Sequence, residues 1–222
     1  MARVAFFQKL SEHELAQIAA ISKRHKFNGD HVVFFEGSRS DSLYLIVSGS
    51  VKIYQEAQDG REKILRVLGA GEFFGEFSLV DGQPRSASVA TLQPTEMLSI
   101  DHLDFRHFAE RSPDVLWKVL EVMCERLRVV NEENFDLAFR DMPYRLVRAL
   151  LKLGEYGTAG VGGITITVSK QDLAAMVGSG PERVSSLLQK LADRGLVHTE
   201  GDKIHIPNTE ALRKALEFTE DL

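Results

Sequence analysis

Cysteine is almost missing from this chain of 222 residues, where Cys124 stands alone. A single thiol excludes an internal disulfide framework and any zinc or iron–sulfur site built from several cysteines. Long apolar runs are missing too: none approaches the roughly 20 residues that a helix needs to cross a bilayer. The opening Met1-Ala2-Arg3-Val4-Ala5-Phe6-Phe7 lacks the extended apolar centre of a secretion signal. Together these absences point to a cytoplasmic chain outside the membrane. Hydrophobic residues make up 44% and charged residues 27%, ordinary values that favour a packed core over disorder. The formal net charge of −5 argues mildly against nucleic acid as a partner. From Arg140 onward, however, 11 basic residues balance 11 acidic ones, so the deficit lies wholly in the first part. A neutral segment can still present a local basic face.

Four textures follow one another. Ser11-Glu12-His13-Glu14 has the form of a capping box and starts a helix. From Phe27 to Ile100, short β-branched and aromatic runs alternate with glycine turns. The runs are Val32–Phe35, Ser42–Val47, Ser50–Tyr54, Lys63–Leu68 and Ser86–Ala90. Regular short strands of this kind predict a jelly-roll-like β-barrel, with a generic β-sandwich as the plainer alternative. Residues 113–138 then read as one long helix. Leu116, Leu120, Met123, Leu127, Val130, Asn134 and Leu137 fall at alternating steps of four and three, the seam of a two-stranded coiled coil. The alternative is a helix lying on its own barrel. Asp141 and Pro143 start a further helix, leaving residues 138–142 as a hinge.

The last part holds two short helices joined by a glycine-containing turn. Ser169-Lys170-Gln171-Asp172 opens the first, and Gly180-Pro181-Glu182 opens the second, which ends before Gly195. A hairpin turning at Glu200-Gly201-Asp202 follows, giving a winged helix-turn-helix. On a helical wheel Val184, Leu187, Leu188 and Leu191 share one face, and Glu182, Ser186, Gln189 and Asp193 lie opposite. Glu182, Ser186 and Gln189 are thus candidates for base contact in double-stranded DNA. Ser169, Lys170, Gln171, Ser179, Arg183 and Lys203 complete the candidate DNA-binding set, with Ser169, Lys170, Gln171 and Lys203 suited to phosphates. For each of these residues alone a plain solvated face is the better reading, and the arrangement as a whole carries the assignment.

One stretch remains, Gly75-Glu76-Phe77-Ser78-Leu79…Pro84-Arg85-Ser86-Ala87. Gly75 lets backbone approach a ligand, and the Glu76 carboxylate can accept from a sugar hydroxyl. Arg85 beside Ser86 suits a phosphate. One site offering all of this fits a sugar phosphate. The spacing resembles the phosphate-binding cassette of cyclic-nucleotide-binding domains. With the dimer helix and the winged helix-turn-helix behind it, nearly the whole chain resembles the cyclic AMP receptor protein/FNR (Crp/Fnr) family of bacterial transcription regulators.

That resemblance implies an α+β chain in three parts. Residues 1–112 would form the cyclic-nucleotide-binding β-barrel, 113–138 the dimerisation helix and 139–222 the winged helix-turn-helix. It implies a homodimer on a palindromic operator, cyclic AMP or another cyclic nucleotide as allosteric ligand, and RNA polymerase as a protein partner. Glu76 would take the ribose 2′-hydroxyl, with Gly75 and Phe77 beside it. Arg85 and Ser86 would hold the cyclic phosphate, Ile53 and Leu68 would line an apolar wall, and Asn131 would meet the base. Two departures stand out. Val130-Asn131 replaces the family's Thr and following small polar residue, and Ser186 replaces an Arg that reads guanine. A regulator of the same fold with another effector, or none, is the nearest rival. A cupin-like metal enzyme is remote, because His13, His25, His31, His102, His107, His198 and His205 are scattered and none falls in the strands expected before the cassette.

Overall fold

The computed structural model describes residues 10–39, 41–160 and 162–217; the amino-terminal stretch read above for a signal lies outside them. Contacts gather the chain into two units, residues 1–55 with 65–130 and residues 56–64 with 131–222. The division falls inside the long helix, and the tip of one hairpin joins the second unit.

The first helix, α1 (Glu12–Ile21), begins with the expected capping box: the Ser11 hydroxyl accepts from Glu14 N, and the Glu14 carboxylate accepts from Ser11 N at 2.6 Å. Strand β1 (Ser22–Phe27) follows directly. Its sequence, Ser-Lys-Arg-His-Lys-Phe, conceals it because the charged residues face water, and it places His25 in a strand after all. The remaining strands are β2 (Val32–Phe34), β3 (Ser42–Ser48), β4 (Ser50–Glu56), β5 (Glu62–Gly69), β6 (Phe73–Phe74), β7 (Ser88–Thr91) and β8 (Thr95–Asp101). They form two four-stranded antiparallel sheets, in the orders β1-β8-β3-β6 and β2-β7-β4-β5. The expected strand at Ser86 starts two residues later, since Ser86 and Ala87 belong to the bend leaving the cassette.

Between β6 and β7 sits the short helix α2 (Glu76–Asp81), and α3 (His102–Arg111) follows β8. One core cluster packs Leu43, Leu45, Phe73 and Ile100 against Phe105 and Phe108 of α3 and Val115 and Val122 of the next helix. A second packs Ile46, Val51, Leu68, Phe74, Val89 and Met97. Each fully buried side chain of this size contributes about 1.5–3 kcal/mol.

The long helix, α4 (Asp114–Phe139), runs one residue beyond the expected end. The break that follows is Arg140 and Asp141 alone, because the Asp141 carboxylate already caps the next helix by accepting from Tyr144 N at 2.9 Å. The first half of α4 turns Val115 and Val122 into the barrel core. Met123 is partly buried against that core as well.

The second unit continues with α5 (Met142–Gly154), β9 (Thr158–Gly160), β10 (Gly163–Thr167), α6 (Lys170–Val177), α7 (Pro181–Asp193), β11 (His198–Glu200), β12 (Lys203–Ile206) and α8 (Thr209–Lys214). Its sheet runs β11-β12-β10-β9. Three ion pairs bind the end of α4 to α5. Arg148 holds the buried Asp136 and, at 2.8 Å, Glu132; Lys152 holds Glu133 at 2.5 Å. The C-terminal carbonyls of α6 also meet cations. Lys63, from the tip between β4 and β5, donates to Met176 O at 2.7 Å, and Arg145 Nε donates to Val177 O at 3.1 Å. Positive charge at a helix C-terminus is favourable. Burial, with Arg145 and Lys152 nearby, pushes the Lys63 ammonium below the usual lysine pKa.

Candidate functional site

The cassette is built around α2. Gly75, its N-cap, has φ 85°, a left-handed conformation open to glycine. Its lack of a side chain has a second reason. A Cβ there would stand 2.5 Å from Arg85 Nη1 and 2.9 Å from Ser42 O. The guanidinium thus occupies the space that a side chain at this position would need.

Arg85 is only 3% exposed. It donates from Nη1 to Gly75 O at 2.8 Å and from Nη2 to Ser42 O at 2.7 Å, and it stacks on the Phe34 ring with Cζ 4.2 Å from the centroid. Burial lowers its pKa, against the opposing pull of Glu76 and Asp41, yet a guanidinium stays charged in proteins. A buried cation lying beside a carboxylate is poised for an anionic ligand with hydroxyl groups.

Sequence reasoning missed one member of this site. Arg126, on α4, donates from Nη1 to Glu76 Oε1 at 2.8 Å and from Nη2 to Phe73 O at 2.5 Å, with Cζ 4.6 Å over the Phe73 ring. Both partners of the ion pair are largely buried. The Glu76 carboxylate therefore already holds one cation, and its four lone-pair directions leave room for a sugar hydroxyl. The missed signal was weak: Arg126 flanks the apolar seam and is one of several charged residues on a long helix.

The other candidate residues fall in three environments. Phe77 and Ser86 are exposed beside the cassette, and Ile53 is half-buried. Leu68 is wholly enclosed in the second core cluster. Asn131 is exposed on α4, five residues beyond Arg126. On the same helix Leu116, Leu120, Leu127, Val130 and Leu137 remain open to solvent, Leu127 at 61%, with Asn134 exposed among them. An apolar stripe of this length is unusual on a solvated helix.

In the second unit α6 and α7 form the helix-turn-helix. Val184, Leu187, Leu188 and Leu191 are buried, while Glu182, Ser186 and Gln189 are exposed, as the wheel requires, and Arg183 beside that face is exposed as well. Two of the polar candidates are already engaged. The Ser169 hydroxyl caps α6 by accepting from Asp172 N at 3.0 Å, and the Gln189 amide donates to Asp193 Oδ1 at 2.8 Å. Lys170, Gln171 and Lys203 are exposed, and Ser179 is half-buried in the turn. Among the described residues no cluster of three or more His, Cys, Asp or Glu is placed to hold a metal ion. No described helix is long and apolar enough to cross a membrane.

Comparison with known proteins agrees with this geometry. Residues 24–112 match the family model of the cyclic nucleotide-binding domain, and residues 144–215 match the Crp-like helix-turn-helix domain. The CRP-like cAMP-activated global transcriptional regulator of Mycobacterium tuberculosis is 35% identical over 220 residues, covering 96% of this chain and 97% of its own. The cAMP-activated global transcriptional regulator CRP of Salmonella typhimurium is 32% identical over 188 residues, covering 83% and 90%. Among solved structures, the c-di-GMP responsive global regulator CLP of Xanthomonas campestris superposes with a TM-score of 0.78 at 29% identity, over 90% of this chain and all of that one. A buried Arg–Glu cassette, an exposed helical seam and a winged helix-turn-helix thus occur together in a chain that belongs to the Crp/Fnr family, as a ligand-responsive DNA-binding transcription regulator and not an enzyme.

Proposed function

We propose that this regulator answers to cyclic AMP, pairs through α4 as a homodimer and grips a palindromic operator with two copies of α7. Residues 1–112 sense, 113–138 pair and 139–222 bind DNA. The observation that carries the reading is the placement of Glu76 and Arg85 on either side of Gly75, with Arg126 of α4 resting on Glu76. A ribose hydroxyl that binds Glu76 must share it with Arg126, so occupancy is felt directly by the helix that carries the exposed seam. The base would lie toward the Asn131 amide, which can donate to and accept from adenine. Ligand can shift the DNA-binding equilibrium only by its preference for one state. A coupling of about 3 kcal/mol corresponds to roughly a hundredfold in operator affinity. Two-fold symmetry sets the half-sites about one helical turn, roughly 34 Å, apart. RNA polymerase is the protein partner expected from the family.

Calorimetric titration with cyclic AMP, cyclic GMP and cyclic di-GMP, each followed by gel shift, tests this. The cyclic di-GMP arm is included because of the Xanthomonas regulator. Cyclic AMP is expected to bind, and Arg85→Ala to abolish binding. Equal affinity in Arg85→Ala would refute the assignment. Sedimentation of a Leu120→Glu, Leu127→Glu variant as a monomer is the matching test of the seam.

A further inference from the structure

The carbonyl end of α6 is closed from outside the helix. Gly178, its left-handed C-cap, and Ser179 both donate to Ala174 O, Ser179 at 3.1 Å. The carbonyls of Met176 and Val177 instead accept from Lys63 Nζ at 2.7 Å and from Arg145 Nε at 3.1 Å. Arg145 belongs to α5, and a Cβ on Gly178 would stand 3.9 Å from Leu137 Cδ2 near the end of α4. Lys63 comes from the hairpin of β4 and β5, whose residues 56–64 group with the second unit. Only Gly178, Ser179 and Gly180 separate this end from α7, so a shift in the last turn of α6 re-aims α7. The hairpin tip is tightly bonded within itself. Ala57 N donates to Arg61 O at 2.8 Å and Gly60 N to Ala57 O at 2.9 Å. Asp59 accepts from Arg61 N at 3.2 Å and from Arg61 Nε at 2.8 Å. At their other end the arms carry Ile53 and Leu68, which pack in one cluster with Phe74, next to Gly75 of the cassette.

We propose that Lys63 is a positioning residue that couples ligand occupancy to the aim of α7: the β4–β5 hairpin latches the end of α6, and a nucleotide in the cassette acts on this latch as well as on α4. The inference rests on the cyclic-nucleotide reading given above. Positive charge suits the C-terminal end of a helix, so Lys63 stabilises the last turn of α6 while the contact lasts. From Leu68 to Lys63 the strand runs five residues, roughly 17 Å at about 3.3 Å each. A tilt of about 5° over that length moves the ammonium by about 1.5 Å, enough to carry Nζ out of reach of Met176 O. The contact has two states and little between them. Burial is the largest influence on the Lys63 ammonium and disfavours its charge, with Glu133 opposing and Arg145 and Lys152 adding to it. An ammonium left there without its acceptor is costly, so the tip either holds Met176 O or moves its charge out to water.

The test uses the full chain, cyclic AMP and a labelled duplex selected from random-sequence DNA by the wild-type protein. Fluorescence anisotropy gives the ratio of duplex affinities with and without cyclic AMP. Lys63→Met should lower that ratio about three- to tenfold, the α4 route remaining. Lys63→Arg, which keeps a cationic donor, should stay within about twofold of wild type. By linkage, the gain in cyclic AMP affinity on adding duplex, read by calorimetry, should fall in Lys63→Met by the same factor. Lys63 is half-buried on a hairpin tip and outside both core clusters, so thermal unfolding should change little. Should Lys63→Met unfold early, Lys63→Gln, polar but uncharged, carries the same expectation. A duplex affinity that changes equally with and without ligand marks a merely structural contact and overturns the latch. An unchanged or raised ratio overturns it too, while leaving the ligand site in place. Wild-type protein that fails to bind cyclic AMP overturns the latch and the cyclic-nucleotide reading together.

Discussion

Two glycines flank α2, and substituting each by alanine separates backbone strain from the work of the ligand site. Gly75 and Gly82 are its N-cap and C-cap, at φ 85° and φ 66°. Alanine at either position is forced into the left-handed region, at about 1 kcal/mol. At Gly82 nothing lies within 4 Å of the added Cβ, so the backbone cost is the whole effect. At Gly75 the same atom meets Arg85 Nη1 at 2.5 Å and Ser42 O at 2.9 Å. The guanidinium must leave Gly75 O and Ser42 O, and hydrogen bonds from a charged group contribute about 1.5–3 kcal/mol each. Partial recovery by water reduces that loss, leaving Gly75→Ala about 2–4 kcal/mol less stable than Gly82→Ala. Urea unfolding of the two variants measures the difference. Calorimetry with cyclic AMP measures the consequence: Gly82→Ala should bind like wild type, and Gly75→Ala at least about tenfold more weakly, since 1.4 kcal/mol of lost contact suffices for that. Equal stability and equal affinity in the two variants would refute the role given to Arg85.

Two further perturbations probe the frame around the site. Lys118 of α4 donates to both carboxylate oxygens of Glu14 at 2.9 Å, and with the Ser11 backbone and hydroxyl it lowers the Glu14 pKa from 4.5 to about 2. A depressed carboxylate stabilises the fold above its unfolded pKa, and that contribution disappears as pH falls from about 4.5 toward 2. Discounted for solvent screening, it amounts to about 1–2 kcal/mol. Lys118→Met should therefore be less stable near neutral pH and lose less on acidification, and parallel acid curves for the two proteins would contradict this. At the hinge, Arg148→Met leaves Asp136, only 6% exposed, without its cation. A loss of about 3 kcal/mol is expected. Adding Asp136→Asn should restore most of it in thermal unfolding, and a strictly additive double mutant would deny the coupling.

Local chemistry was legible in the sequence because caps, turns and stripes are set by residues a few positions apart. The Ser11–Glu14 box, the Asp141 and Ser169 caps, the core face of α7, the wing hairpin and the exposed stripe of α4 all follow from spacing of this kind. Strand β1 escaped because its outward residues are charged, and α2 because a six-residue helix inside a glycine-bounded loop has too few positions to show a period. The cassette residues could be named from their order, but not how they meet.

That Gly75 lies against the Arg85 guanidinium and that Arg126 reaches Glu76 from 50 residues away were decided by tertiary packing. The chain's own sequence determined which groups were available: one carboxylate, two guanidiniums and a glycine. Only the folded structure brought them together, because the separations that matter span a sheet, a helix and the loop between them. No local spacing encodes an ion pair whose partners meet only after two independent elements have packed.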